Sequence, residues 1–207
     1  MEISAQLVKQ LRERTGAGMM ECKAALVEAK GDVEEGVVVL RKKGIASAGK
    51  KASRSTKQGV ILSYIHPGAQ LGVMIEVNCE SDFVARTEDF QTLVHDIAMQ
   101  IAAADPQFIR KEDVTATDLE KEKEIQKARA IAEGKPEKMA EKIVEGRMNK
   151  YYEEVCLYEQ PFIKENTTTI GEVIKAKIAK LGENISVARF VRFKVGDSAP
   201  QTEAAAE

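Results

Sequence analysis

Between residues 4 and 48, apolar side chains recur at helical spacing. Leu7, Val8 and Leu11 form a stripe behind Ser4, a suitable N-cap. Gly16-Ala17-Gly18 breaks that helix. A second helix runs from about Met19 to Ala29, with Met20, Ala24 and Val27 spaced for one face. Gly31 suits a C′ position, and Asp32 suits an N-cap with Glu35 three residues on, as in a capping box. The third helix then carries Val37, Leu40 and Ile45. Three helices in about 45 residues make a small bundle, which is marginal alone and commonly serves as a binding module.

From Gly59 the period shortens to that of strands. Val60 to Ile65 and Leu71 to Val77 are apolar runs joined by His66-Pro67-Gly68-Ala69-Gln70, a hairpin signature. The nearly continuous run Val73 to Val77 reads as a buried strand. Phe90, Leu93, Val94, Ile97, Ala98 and Ile101 return to helical spacing, with Thr87 as cap and Asp105-Pro106 as terminator. Near the end, Val155 to Tyr158 reads as a short strand before Gln160-Pro161. Thr169-x-x-Glu172 is a capping box for a helix carrying Ile170, Val173, Ile174, Ile178 and Leu181, closed by Gly182. Ile185 to Val195 is a final strand whose alternation is imperfect, because Arg189 shares a face with Val187 and Val191.

The expected fold class is α+β: an N-terminal three-helix bundle (1–48), a basic linker (49–57), then an antiparallel-sheet core with packed helices (58–196). The linker belongs to a stretch, 41–57, that holds Arg41, Lys42, Lys43, Lys50, Lys51, Arg54 and Lys57 and no acid. It reads as a helix end plus a flexible connection, with a phosphate-binding patch as the functional alternative. No aromatic is interleaved to stack a base. Residues 118–153 are dense in charge of alternating sign and read as a helical hairpin, Ile125, Ala128 and Ala132 facing Met139, Ile143 and Val144. Asp197 onward is a polar tail expected to be disordered.

Composition narrows the function. A hydrophobic fraction of 43% can bury a core, and a net charge of −2 gives no global drive toward nucleic acid or anionic membrane. No run is long enough to span a bilayer, and Met1-Glu2-Ile3-Ser4 lacks the marks of a signal peptide, so a cytoplasmic protein is expected. Cys22, Cys79 and Cys156 are dispersed and read as small buried hydrophobes rather than disulfide or zinc ligands. His66 and His95 have no metal or catalytic spacing. A phosphate-binding Gly-rich loop, a nucleophile elbow and paired carboxylates are all missing from the pattern. One segment stands out. Glu80-Ser81-Asp82-Phe83-Val84-Ala85-Arg86 places a large apolar ring among polar residues at a strand-to-helix corner. Such a ring either folds back into the core or serves as a wedge for a partner. These features describe a recognition module more than a catalyst.

Three blocks resemble bacterial translation elongation factor Ts: Leu7 to Leu26 (LVKQLRERTGAGMMECKAAL), Ile75 to Ala85 (IEVNCESDFVA) and Gly182 to Phe190 (GENISVARF). They are long, ordered and spread over roughly residues 2 to 196. Two departures are visible: Ser81 stands where the family usually has Thr, and the chain resembles the short form with one core unit.

The resemblance implies a guanine-nucleotide exchange factor for elongation factor Tu, acting without covalent chemistry, cofactor or direct nucleotide binding. It implies that a UBA-like N-terminal bundle docks on the GTPase domain through Arg12, Met19, Met20 and Lys23. It implies further that Ser81, Asp82, Phe83 and Val84 enter beside the nucleotide and disturb the magnesium site. Met20 has an alternative place in the bundle core, with Met19 alone exposed. A one-unit member could also recruit a second copy as a homodimer. An exchange factor stabilises the nucleotide-free GTPase, each ligand weakening the other by one shared factor. Reversing a 1:99 population takes roughly 5.5 kcal/mol. One buried Phe ring contributes about 1.5–3 kcal/mol, so the bundle and core must share the work.

Overall fold

The computed structural model describes residues 3–134 and 136–197, without the side chains of Ile45, Glu137, Lys138 and Ala140. The place expected for the Ile45 side chain, and the tail beyond Asp197, lie outside the described residues.

Helices α1 (Ala5–Thr15), α2 (Met19–Glu28) and α3 (Val33–Lys51) form the N-terminal bundle. Ser4 Oγ accepts from the Leu7 amide at 3.3 Å, and Asp32 caps α3 through the Glu35 amide at 3.0 Å. Gly16 ends α1 at φ 68°, a conformation that costs glycine nothing. Val8, Leu11, Cys22, Ala25, Leu26 and Val39 make the bundle's own core. The face expected to be buried on α2 is instead turned out: Met20, Ala24 and Val27 are exposed. Helix α2 is apolar on several sides, and the small side chains of Cys22 and Ala25, with Leu26, allow the closer packing.

The basic stretch is helical as far as Lys51. Beyond it the chain is tethered rather than loose. Asn184 Nδ2 donates to the carbonyls of Ala52 (3.3 Å) and Arg54 (2.8 Å), and the Thr56 and Ser186 hydroxyls lie 3.1 Å apart.

Strands β1 (Gln58–Ile65) and β2 (Leu71–Cys79) form the expected hairpin. A short helix, α4 (Asp82–Ala85), and the long α5 (Glu88–Ala104) follow. Helices α6 (Ala116–Ala132) and α7 (Glu137–Val155) build the charged hairpin. Its seam matches expectation in part. On α7 Ile143 and Val144 are half-buried and Met148, one turn past Val144, is buried, whereas Met139 is exposed; on α6 Ala130 is buried while the expected Ile125, Ala128 and Ala132 are exposed. The expected strand Val155–Tyr158 is absent: α7 runs to Val155, and Leu157–Glu159 is a 3-10 turn. Only a single bridge, Phe108 to Cys156, pairs there. A small hairpin of β3 (Pro161–Phe162) and β4 (Glu165–Thr169) comes next, then α8 (Ile170–Leu181) and β5 (Ile185–Lys194).

The main sheet is antiparallel, in the order β1-β2-β5. Val73, Ile75, Val77 and Cys79 of β2 are buried against Phe90, Leu93, Val94, Ile97 and Ile101 of α5 and Ile170, Ile174 and Ile178 of α8. Strand β2 is therefore buried on one face only, and Met74 on the other face is exposed. A bulge explains the broken alternation of β5. Val187 pairs with Val77 and Arg189 with Glu76, so Ala188 is the extra residue. Val187 points into the core, while Arg189 and Val191 face outward. Arg189 Nε then reaches Glu76 Oε2 at 2.7 Å, and its donation holds the Glu76 carboxyl below its ordinary range.

A buried amide pair ties the small hairpin to α5. Gln100 Nε2 donates to Gln160 Oε1 at 3.2 Å, and Gln100 Oε1 accepts from the Ile163 amide at 2.9 Å. All three cysteines are buried. Desolvation pushes the Cys79 thiol up and the Cys156 thiol up to about 11.

Asp89, in the first turn of α5, is held by Lys177 Nζ at 2.7 Å and Lys180 Nζ at 2.7 Å. Donation from Lys177, then from Lys180, lowers its carboxyl from the ordinary range. A depressed folded value means that this stability is present above the ordinary Asp value of about 3.9 and is lost as pH falls through the folded value. Asp89→Asn should therefore lower the melting temperature at neutral pH, and the deficit should close in acid. Melting curves of both proteins from neutral to about pH 3 check the sign.

Candidate partner-binding corner and helical face

The corner begins where β2 leaves the sheet. Ser81 Oγ caps α4 by accepting from the Val84 amide at 3.3 Å, while its hydroxyl donates to Glu183 Oε1 at 2.6 Å. Glu183 Oε2 accepts from the amides of Ser81 (2.9 Å) and Glu80 (3.1 Å). Beneath, the Cys79 thiol donates to the Ser81 carbonyl at 3.1 Å. Glu183 lies 102 positions away in sequence from Ser81, and no local pattern marks it as a partner of the corner.

The four corner residues expected at the site differ in what they present. Ser81 is engaged in the cap. Asp82 is half-buried and pairs with Arg86 Nη2 at 3.0 Å, one helical turn on. Val84 is half-buried against the core. Phe83 is 80% exposed. Its ring therefore does not fold back into the core. A ring left in water on a corner this well fixed is ready to bury area against a partner at little further ordering cost.

On the bundle, Met19 and Met20 are 50% and 76% exposed. The alternative of Met20 in the bundle core is overturned, since it is the more exposed of the two. Arg12 and Lys23 are exposed, and neither pairs with a carboxylate among the described residues. Met19, Met20, Ala24 and Val27 thus form an outward apolar strip beside a lysine, an adaptable surface with its charge unspent. The strip lies on α2 and Phe83 on α4.

The basic stretch is partly neutralised. Lys43 Nζ lies 2.6 Å from Glu28, Arg54 Nη1 3.5 Å from Glu80 and Arg41 Nη2 3.9 Å from Glu172. Among the described residues, no group of three or more His, Cys, Asp or Glu side chains could hold a metal ion, and no helix is long and apolar enough to cross a membrane. A groove on the charged hairpin is lined by Lys123, Glu124, Glu141, Glu145 and Tyr152 among others, with charges of both signs.

Fold and surface together define a protein-binding module that offers an exposed aromatic and an exposed methionine strip on a rigid α+β frame. The chain belongs to the elongation factor Ts family: the family model described as Elongation factor TS matches residues 2–197. It is 79% identical to "Elongation factor Ts" of Solibacter usitatus (strain Ellin6076) over 197 residues, 95% of this chain and 93% of that protein. Identity is 65% to "Elongation factor Ts" of Koribacter versatilis (strain Ellin345), covering 95% and 90% of the two chains. It is 59% to "Elongation factor Ts" of Desulforamulus reducens (strain ATCC BAA-1160 / DSM 100696 / MI-1), covering 95% and 90%. Family membership assigns the chain to protein biosynthesis, at translation elongation.

The exposure of Phe83 has a direct thermodynamic consequence. Phe83→Ala should change folding stability by no more than about 0.5 kcal/mol, as for other surface substitutions. Denaturant unfolding of the two proteins measures this, and a loss of several kcal/mol would show that the ring is part of the core.

Proposed function

We propose that the protein is a guanine-nucleotide exchange factor for elongation factor Tu in the cytoplasm. It binds the GDP-bound GTPase, displaces magnesium and promotes GDP release so that GTP can bind. It does so by binding alone, without a covalent step. The observation that carries this reading is Phe83, 80% exposed on a corner fixed by the core. Ser81, Asp82, Phe83 and Val84 enter beside the nucleotide, and Arg12, Met19, Met20 and Lys23 of the bundle dock on the GTPase domain. Family membership supports the choice of partner.

The physical task is to favour the empty GTPase over the loaded one. A ring moved from water into a protein pocket contributes about 1.5–3 kcal/mol. The requirement is roughly 5.5 kcal/mol to reverse a 1:99 population. The methionine strip supplies further apolar area. Arg12 and Lys23 supply unpaired charges, which speed encounter and fix orientation more than they add affinity.

The test is release of a fluorescent GDP from elongation factor Tu, with and without this protein. Acceleration is expected, and its absence would sink the proposal. Phe83→Ala should slow the accelerated release by about 10-fold or more, the kinetic equivalent of losing the ring's burial.

A specific observation also favours a second copy of the chain as partner. The sheet face away from α5 carries Ile61, Ile65, Met74, Val191 and Phe193, all exposed. The register puts Phe193 opposite Gly72, next to Ile65, and Val191 opposite Met74, so these four side chains cluster, with Ile61 beyond Ser63 and beside the Glu76–Arg189 ion pair. Patches of this kind mark interaction sites. We propose that two copies pair sheet to sheet. Light scattering should give twice the chain mass, and Phe193→Glu should return it to that of one chain. A monomeric mass for the unaltered protein, alone and with elongation factor Tu, excludes the pairing.

A further inference from the structure

In the block Gly182 to Phe190 the two residues after the glycine, Glu183 and Asn184, are ones that no feature of the exchange mechanism yet uses. Both reach far from their own turn. Glu183 takes all three of its hydrogen bonds from the corner: the Glu80 amide (3.1 Å), the Ser81 amide (2.9 Å) and the Ser81 hydroxyl (2.6 Å). Asn184 is 6% exposed. Its side chain donates to the carbonyls of Ala52 and Arg54, just past the end of α3. Its own amide donates to Glu80 Oε1 at 2.6 Å, and Arg54 Nη1 lies 3.5 Å from that same oxygen. The turn after α8 thus grips the root of the Phe83 corner with one residue and the root of the bundle with the next.

The cap on α4 does not itself call for Glu183. Ser81 already caps α4 through the Val84 amide. The amides of Glu80 and Ser81 stand at a half-buried strand end, where water could satisfy them. A carboxylate accepting three hydrogen bonds instead favours one conformation of the corner, since charge-assisted bonds are roughly twice as strong as neutral ones.

We infer that Glu183 is a positioning residue for nucleotide exchange: its carboxylate fixes the Ser81–Val84 corner, and with Asn184 it sets that corner against the end of α3, so that Phe83 and the bundle meet a partner in one geometry. The inference rests on the exchange-factor reading. Its physical content is population. A corner that holds its competent conformation a tenth of the time acts about tenfold more slowly, with each partner surface otherwise intact.

Glu183→Ala and Glu183→Gln test it in the full chain, through two readouts. The first is amide hydrogen exchange at Glu80 and Ser81. The second is release of fluorescent GDP from elongation factor Tu as the concentration of this protein is raised, which separates the maximal rate from the half-saturating concentration. For Glu183→Ala we expect faster exchange of both amides and a maximal rate lower by about tenfold. Half-saturation should move less than about twofold, because the bundle still docks. Glu183→Gln keeps an acceptor for the two amides and loses the one for the Ser81 hydroxyl, so it should cost only about threefold. Unchanged amide protection or an unchanged maximal rate in Glu183→Ala overturns the inference. So does a loss of half-saturation and melting temperature in step with rate, the mark of a merely structural role. Should the alanine variant fail to fold, the glutamine variant decides: a threefold lower maximal rate supports the inference and a wild-type rate overturns it. An unaltered protein that leaves GDP release unaccelerated overturns the proposed function and the exchange role together. The amide exchange still shows whether Glu183 holds the corner.

Discussion

The structure depends on burying one face of β2. This strand alone pairs on both sides in the main sheet, with β1 and β5. Its odd-numbered residues Val73, Ile75, Val77 and Cys79 are at most 2% exposed, beneath α5 and α8. Each such side chain contributes on the order of 1.5–3 kcal/mol of burial, so β2 is where the core's favourable free energy is concentrated. The last buried residue, Cys79, is two positions from Ser81, and its thiol bonds to the Ser81 carbonyl. The corner that presents Phe83 is therefore a continuation of the most buried strand and is anchored to it. The opposite face of the same strand stays open and carries the apolar patch. One strand thereby serves the core on one side and, in the proposed pairing of two copies, the contact on the other.

The bundle is joined to this core by close backbone approach. A Cβ at Gly44 of α3 would lie 3.0 Å from the Ala179 Cβ of α8, so only glycine lets the two helices come this near without a shift. One turn further along, Ala48 is 2% exposed and belongs to the main core rather than to the bundle's. Gly16 adds a second contact: a Cβ there would meet Lys180 Cε at 2.8 Å. Lys180 in turn holds Asp89 at the start of α5. The Gly44–Ala179 approach limits how the bundle sits on α8, whereas the Lys180 stem beside Gly16 is a flexible neighbour. What composition presents as a basic connection is in fact the end of a helix docked on α8, followed by a short segment pinned by Asn184.

Local patterns announced the elements whose cause is local. The 3.6-residue recurrence from Phe90 to Ile101, the Thr169/Glu172 capping box and the Pro-Gly hairpin loop each act within a few residues, and each element stands where the pattern puts it. The features that escaped have non-local causes. A two-residue period showed that β5 was irregular. It could not show that Ala188 is extra, because a bulge is defined by the partner strand. Helix α2 is apolar on several sides, so periodicity could not say which side α1 and α3 would cover. The β3–β4 hairpin depends on Gln100 and Gln160, which are 60 positions apart. At the corner, Phe83 was legible because polar neighbours bracket it, whereas Glu183, 102 positions from Ser81, was not.

Two weak surfaces on a rigid frame suit an exchange factor better than one strong surface. The factor must bind the GTPase tightly enough to lower the affinity for GDP, yet leave when GTP arrives, and linkage makes the two effects equal in size. A single contact strong enough to supply the whole differential would have to lie entirely at the nucleotide site. In the proposed arrangement the bundle keeps the corner at high effective concentration. The part of its contact that differs between loaded and empty GTPase adds to what the corner supplies. In the proposed mechanism that division needs a frame that does not flex, since a loose joint would dilute the local concentration of Phe83. The packing of α3 against α8 and the hydrogen bonds of Glu183 and Asn184 are the contacts that span this joint.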